Sequence, residues 1–294
     1  MRLEPITAAS QPAAPPTLRI ARSAILLASL ASFAGVLIGV RTGLTASFDQ
    51  GWVTTLTEWR GSPLDTVMRL ASEIGGGLGL SLLTVVVIGV LIASGRLRAA
   101  VFVGVAFVAA DLGAGVLKAA VARPRPALEF RTALELSGWT DLVWVVLLGV
   151  LVVALWRTEW RRVGLLAATL FAIAVLVDRG LDRGLFTAEL DAFPSGHAMR
   201  SMGLAASLVL VRWAYCRRGP FLVIGALAVL LIGVSRVYLG VHYPTDVLAG
   251  WLAALAVVLG LSLIPALDPT RDRTSILTES PASSGVAPAT TPPG

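Results

Sequence analysis

The feature that most limits what this chain can become is its series of long, nearly uncharged apolar runs. A helix needs about 20 mostly apolar residues to cross the hydrocarbon layer of a bilayer. The stretches 20–40, 75–94, 99–121, 198–216, 220–239 and 245–264 reach or approach that length. A chain in lipid must satisfy its own backbone hydrogen bonds, so each run reads as helix and not as open strand. Charged residues make up only 14% of the 294, with a mean hydropathy of +0.80, whereas soluble domains carry about 25% charged residues. The expected fold class is all-α, a polytopic transmembrane helix bundle.

Two shorter apolar runs, 142–156 and 163–177, bring the expected crossings to eight, with both termini in the cytoplasm. Residues 1–18 read as a flexible tail, 19–266 as the membrane domain with a two-span insertion at about 140–180, and 267–294 as a disordered Pro/Ser/Thr/Ala-rich tail. The run at 20–40 is too long for a signal-peptide core and has no evident small-residue cleavage site. Residues 45–74 mix Trp52, Trp59, Asp65, Arg69 and Glu73 with apolar positions, as an interfacial or extracytoplasmic segment would. Arginine clusters at 96–98, 157–162, 212–218 and 271–273 then fall on the cytoplasmic side, as the positive-inside rule requires. The net charge of +6 comes from such small clusters and not from one basic face, so no nucleic-acid partner is expected. The single cysteine, Cys216, excludes an internal disulfide. Gly75, Gly76, Gly77 and Gly79 lack the following Lys-Ser/Thr of a phosphate loop, and close helix packing is the better explanation.

Lys118, Arg125 and Arg236 land on the outer side, against the charge rule, and three polar stretches gather there: 118–126, 194–197 and 235–246. Lys118 is the chain's one lysine, and His197 and His242 are its two histidines. Pro124 and Pro126 turn the chain out of helix beside Arg123 and Arg125. Arg125 suits bidentate capture of a phosphate and Lys118 adds a point charge; the plainer alternative is a pair of snorkelling cations. Pro194, Ser195 and Gly196 open a helix, where free N–H groups and the dipole favour an anion, although ordinary capping by Ser195 explains them equally. His242 and Asp246 are four apart, a spacing that brings a carboxylate under an imidazole on one helix face. Such a pair fixes the tautomer and frees the other nitrogen as nucleophile or base. Two histidines and an aspartate could also form a metal triad. Three neighbouring cations repel a divalent ion and suit a phosphate, so neither a metal nor another cofactor is expected.

These stretches resemble the signature of the type 2 phosphatidic acid phosphatase superfamily, the lipid phosphate phosphatases. K-x6-R-P is matched by Lys118, Arg125 and Pro126, P-S-G-H by Pro194 to His197, and S-R-x5-H-x3-D by Ser235, Arg236, His242 and Asp246. The resemblance implies a metal-independent, multi-pass membrane phosphatase acting on a lipid phosphate or diphosphate at the extracytoplasmic face. It implies that His242 attacks phosphorus to form a phosphohistidine, that His197 protonates the leaving oxygen, and that Asp246 orients His242. Lys118, Arg125, Ser195, Gly196 and Arg236 would hold the phosphoryl oxygens. The family core has six spans, so the runs at 142–156 and 163–177 would be additions. A lipid-phosphate carrier without hydrolysis and a lipid phosphotransferase remain as alternatives. The partner expected is a membrane lipid phosphate, and small-residue spacings such as Gly35 and Gly39 leave the oligomeric state open.

Overall fold

The computed structural model describes residues 16–127, 191–213 and 219–270. The runs predicted at 142–156 and 163–177, together with Cys216 and both tails beyond these limits, lie outside the described residues. Among the described residues eight helices form: α1 (Pro16–Arg41), α2 (Ala46–Glu58), α3 (Ser62–Ile74), α4 (Gly77–Ala93), α5 (Leu97–Val121), α6 (Gly196–Trp213), α7 (Gly219–Tyr238) and α8 (Pro244–Leu263). Among the described residues there is no strand, only an isolated antiparallel bridge between Pro124 and Asp191.

The fold is an all-helical membrane bundle. Thr17–Arg41, Leu97–Val121 and Pro244–Leu263 are long and apolar enough to cross a bilayer singly. Pro63–Ile74 and Gly77–Ala93 qualify only as a pair, bent by 54° at the glycines between them, and α7 offers the shorter apolar stretch Leu222–Tyr238. Large apolar side chains such as Ile20, Leu27, Val108, Val116, Ile224 and Leu227 are exposed on the bundle's outside, as lipid contact demands. The inward faces close over Phe102, Val103, Ala106, Leu204 and Val258, a core shared by α5, α6 and α8.

Small residues set the helix spacing. A Cβ on Gly75 would lie 2.4 Å from Ile232 Cγ2, and one on Gly79 would lie 2.5 Å from the Ile74 carbonyl. Gly75 therefore lets the α3–α4 bend pack against α7, and Gly79 lets α4 fold close to the end of α3. At Gly250 a Cβ would come within 2.8 Å of the Ser195 carbonyl and 2.9 Å of Ala198 Cβ, so α8 can approach the start of α6 only without a side chain there.

The two ends of the bundle are closed by different contacts. At one end, buried Arg22 of α1 bonds Asp268 at 3.1 Å and the Ser262 carbonyl at 3.3 Å, so the start of α1 is tied to the exit of α8. At the other end the C-terminus of α5, the N-terminus of α6 and the α7–α8 turn meet. Ala192 N–H donates to the Arg123 carbonyl at 2.7 Å, and Ser195 N–H donates to the Asp246 carbonyl at 2.9 Å. Arg41 and Arg60 cap this end by donating to the last carbonyls of α5 and α7, Ala120 and Tyr238.

Candidate active site

The three polar stretches of the sequence come together at that second end. Lys118 lies in the last turn of α5, which Ala122 closes in a left-handed conformation with φ 50° and an N–H bond to the Lys118 carbonyl. Pro124 and Pro126 keep the following residues out of helix. The Pro124–Asp191 bridge then lays this segment beside the one leading into Ser195, Gly196 and His197. Arg236 sits in the last turn of α7, which ends in a Schellman turn: Gly240 N–H bonds Val237 and Val241 N–H bonds Arg236. Gly240 has φ 70°, which a side chain would oppose, and this reversal delivers His242 just ahead of α8. Pro244 opens α8 as its first residue.

His242 is buried, and its Nδ1 lies 2.7 Å from the Ala192 carbonyl. A carbonyl only accepts, so Nδ1 carries the hydrogen in this contact and Nε2 keeps its lone pair. Asp246 makes a longer ion-pair contact with the same nitrogen. Asp246 Oδ2 stands 3.8 Å from Nδ1, beyond hydrogen-bond range, while accepting from Tyr243 N–H at 2.7 Å. Its other oxygen accepts from Arg123 at 2.6 Å. The reason is positional: His242 precedes the helix that Asp246 has entered, so the i, i+4 helical geometry does not apply to the pair. Burial pushes the His242 imidazole down to about 4, helped by Arg236 and Lys118 and opposed by Asp246.

Arg123, between the motif residues Lys118 and Arg125, is engaged by protein groups. Its guanidinium bonds Asp246, Thr245 at 2.8 Å and Asp49 of α2 at 2.7 Å, and it stacks 4.3 Å from the Tyr243 ring centroid. Asp49 in turn accepts from the Thr245 backbone and hydroxyl at 3.2 and 2.7 Å. Nothing in the spacing of the sequence linked Asp49 to this site, 74 residues before its partner.

The cationic side is built differently. Lys118 is within electrostatic reach of Arg125, Arg200, Arg236 and Asp191, and His197 within that of His242, Arg200, Arg236 and Lys118. Arg236 is buried and donates to Ser72 Oγ of α3, yet its Nε has no hydrogen-bond partner among the described residues. Ser195 Oγ, fully buried, likewise has none. Buried donors without acceptors are costly unless a ligand supplies them. His197 Nε2 lies 3.8 Å from the position a Cβ on Gly76 would occupy, so the α3–α4 bend borders the site. Among the described residues no three His, Cys, Asp or Glu side chains are grouped as metal ligands. Arg200, one turn beyond His197, is a further cation that the sequence reading passed over; it bonds Asp111 of α5 at 2.6 Å.

A membrane helix bundle that gathers two histidines and several cations around buried, unfilled donors defines a class of protein that handles anionic groups at the bilayer surface. The sequence model of the PAP2 superfamily matches residues 99–267, and the chain belongs to that family. It is 40% identical over 63 residues to an undecaprenyl-diphosphatase of Sulfolobus acidocaldarius, an alignment covering 21% of this chain and 27% of that protein. It is 39% identical over 72 residues to phosphatidylglycerophosphatase B of Bacillus subtilis, covering 22% and 34%. With a decaprenylphosphoryl-5-phosphoribose phosphatase of Mycobacterium tuberculosis it shares 33% over 133 residues, covering 42% and 68%. The crystal structure of a transmembrane PAP2-type phosphatidylglycerolphosphate phosphatase from Bacillus subtilis has the same fold. It superposes with a TM-score of 0.54 at 19% identity, covering 79% of this chain and 92% of that one.

Proposed function

We propose that this protein is an integral-membrane phosphatase that removes a phosphoryl group from a lipid phosphate or diphosphate through a phosphohistidine on His242. The observation that carries the reading is the Nδ1 contact of His242 with the Ala192 carbonyl, which leaves Nε2 as the ring's nucleophile. The depressed basicity of the imidazole keeps it uncharged at neutral pH. In this reading Lys118, Arg125, Arg236, Ser195 and the backbone at Gly196 hold the phosphoryl oxygens and balance the charge of the transition state. His197 donates a proton to the leaving oxygen, and Asp246 acts at a distance, favouring the positive charge that His242 acquires on attack. Charge is supplied by side chains, so turnover should survive EDTA and be blocked by vanadate.

Arg96 and Arg98 adjoin the start of α5, at the opposite end from Lys118, which supports an extracytoplasmic site with cytoplasmic termini. Leu44 is exposed in the loop after α1, at the site end. A cysteine at Leu44 in a Cys216→Ser background should react with an impermeant thiol reagent in intact cells; reaction only after lysis would invert the orientation.

The chemical test is phosphate release by the purified full chain in mixed micelles, together with trapping of an acid-labile phosphoenzyme. His242→Ala should abolish both. His197→Ala should slow turnover by about 10²–10⁴ while still forming the phosphoenzyme. Near-normal turnover by His242→Ala would overturn the mechanism.

A further inference from the structure

Arg200 and Asp111 form an ion pair on two helices that run from the site toward the other membrane face. Charged residues within apolar spans are costly, and they concentrate where a substrate or ion passes. Neither partner is sealed: their side chains are 20% and 36% exposed. A carboxylate open to that degree beside α6 must meet water or a ligand, since hydrocarbon would not solvate it. Asp111 takes only Nε of Arg200. That contact fixes the guanidinium plane and leaves Nη1 and Nη2, the pair that grips a phosphate, without an acceptor among the described residues. Nη1 lies 3.9 Å from where a Cβ on Gly196 would sit, so the fork reaches the start of α6 where the phosphoryl group is proposed to bind. Because Arg200 is three residues past His197, its backbone stands about 4.5 Å further along the helix, and the guanidinium reaches back to Gly196 from the inner side of the site.

In the phosphatase reading that inner side is where the leaving group and its lipid chain lie. We propose that Arg200 is a specificity-determining residue that holds a second phosphate of the substrate, lying between the phosphoryl group under attack and the lipid chain. The proposal rests on the phosphatase reading above and narrows its substrates to lipids carrying two phosphates. In the chemical step the Nε2–P bond of His242 forms as the P–O bond to the leaving group breaks. The departing oxygen keeps the bonding electron pair. That oxygen takes a proton from His197, water then attacks phosphorus and returns a proton to His197, and cleavage of the Nε2–P bond frees His242 and releases inorganic phosphate. When the leaving group is itself a lipid phosphate, Arg200 faces the charge it carries away. Asp111 offsets part of the local positive charge, so Arg200 contributes directed donors more than bulk attraction.

The test compares kcat/KM of the full chain in mixed micelles on three lipids: a polyprenyl diphosphate, phosphatidylglycerophosphate and phosphatidic acid, the last with one phosphate. The wild type should favour at least one two-phosphate lipid over phosphatidic acid. Arg200→Gln should reduce that ratio by about 10–100-fold, the loss of one charge-assisted phosphate contact, and Arg200→Lys should recover part of it. A loss confined to the diphosphate places the second phosphate adjacent to the first; a loss confined to phosphatidylglycerophosphate places it a glycerol away. Competition by inorganic pyrophosphate against orthophosphate should show the same ratio change without turnover. Equal losses on all three lipids would reduce Arg200 to a structural partner of Asp111, and no loss would remove it from the site. Either result would overturn this proposal while the phosphatase reading stood; no phosphate release from any of the three by the wild type would end both.

Discussion

Arg123 and Arg236 are arginines at the same end of the bundle with opposite surroundings. Arg123 is held by two carboxylates, a hydroxyl and an aromatic face. Arg236 is more deeply buried, yet its bonded partner is the hydroxyl of Ser72 and its Nε is unmatched. A buried charge normally brings its counterion with it. Where a protein spends two aspartates on one arginine and gives the other a hydroxyl and the field of Glu73, the first arginine serves the framework, and the second keeps a donor for the anion that the phosphatase reading assigns to it.

The sharpest way to break this contrast is to remove each arginine in turn. Arg123→Ala leaves Asp49 and Asp246 buried without their cation and should cost about 3–5 kcal/mol of stability, seen as a large fall in the thermal midpoint. Arg236→Gln should do the reverse. Activity should fall by about 10²–10³, the effect of losing one transition-state donor, while the midpoint holds or rises. Similar destabilisation by both substitutions would erase the distinction. Gly250→Ala probes the joint between the two regions. Its new Cβ would press on the Ser195 carbonyl, costing about 1–3 kcal/mol and lowering kcat as the phosphate cradle shifts from His242.

The smallest effect is on pH. Folding lowers the His242 value from 6.5 to about 4, so between those values the unfolded chain holds more protons than the folded one. The contribution of this group to stability is therefore full above pH 6.5 and declines as pH falls toward 4, by at most about 1.4 kcal/mol per unit. The acid limb of kcat/KM should likewise lie well below 6.5. An acid limb at 6.5 would mean an imidazole in ordinary solvent contact.

The motif residues were legible because each type announces its chemistry: a lone lysine, arginines beside prolines, and histidines at helix starts. Their convergence also followed, since all were expected at one end of the spans. What the spacing did not carry was local geometry. The four-residue spacing of His242 and Asp246 suggested a helical pair, but the helix begins between them, and a backbone carbonyl from a distant segment took the bond. Arg123 had no role assigned from the sequence because its partner Asp49 lies far off on a helix whose other face carries exposed Phe48 and Trp52. Arg200 did carry a signal, one charge in an apolar helix matched by Asp111 in another, and it was visible without the fold. Ser72 and the Gly75–Gly76 bend could be placed beside Arg236 and His197 only by tertiary packing.

The short backbone staple between Arg123 and Ala192 has a consequence for how such a protein can change over generations. The chain leaves the site at one side of that staple and returns at the other, so two segments far apart in sequence are joined there by backbone contacts. Because the staple is made of main-chain groups, it keeps the segments bearing Lys118 and His197 side by side whatever side chain a lineage places at position 191.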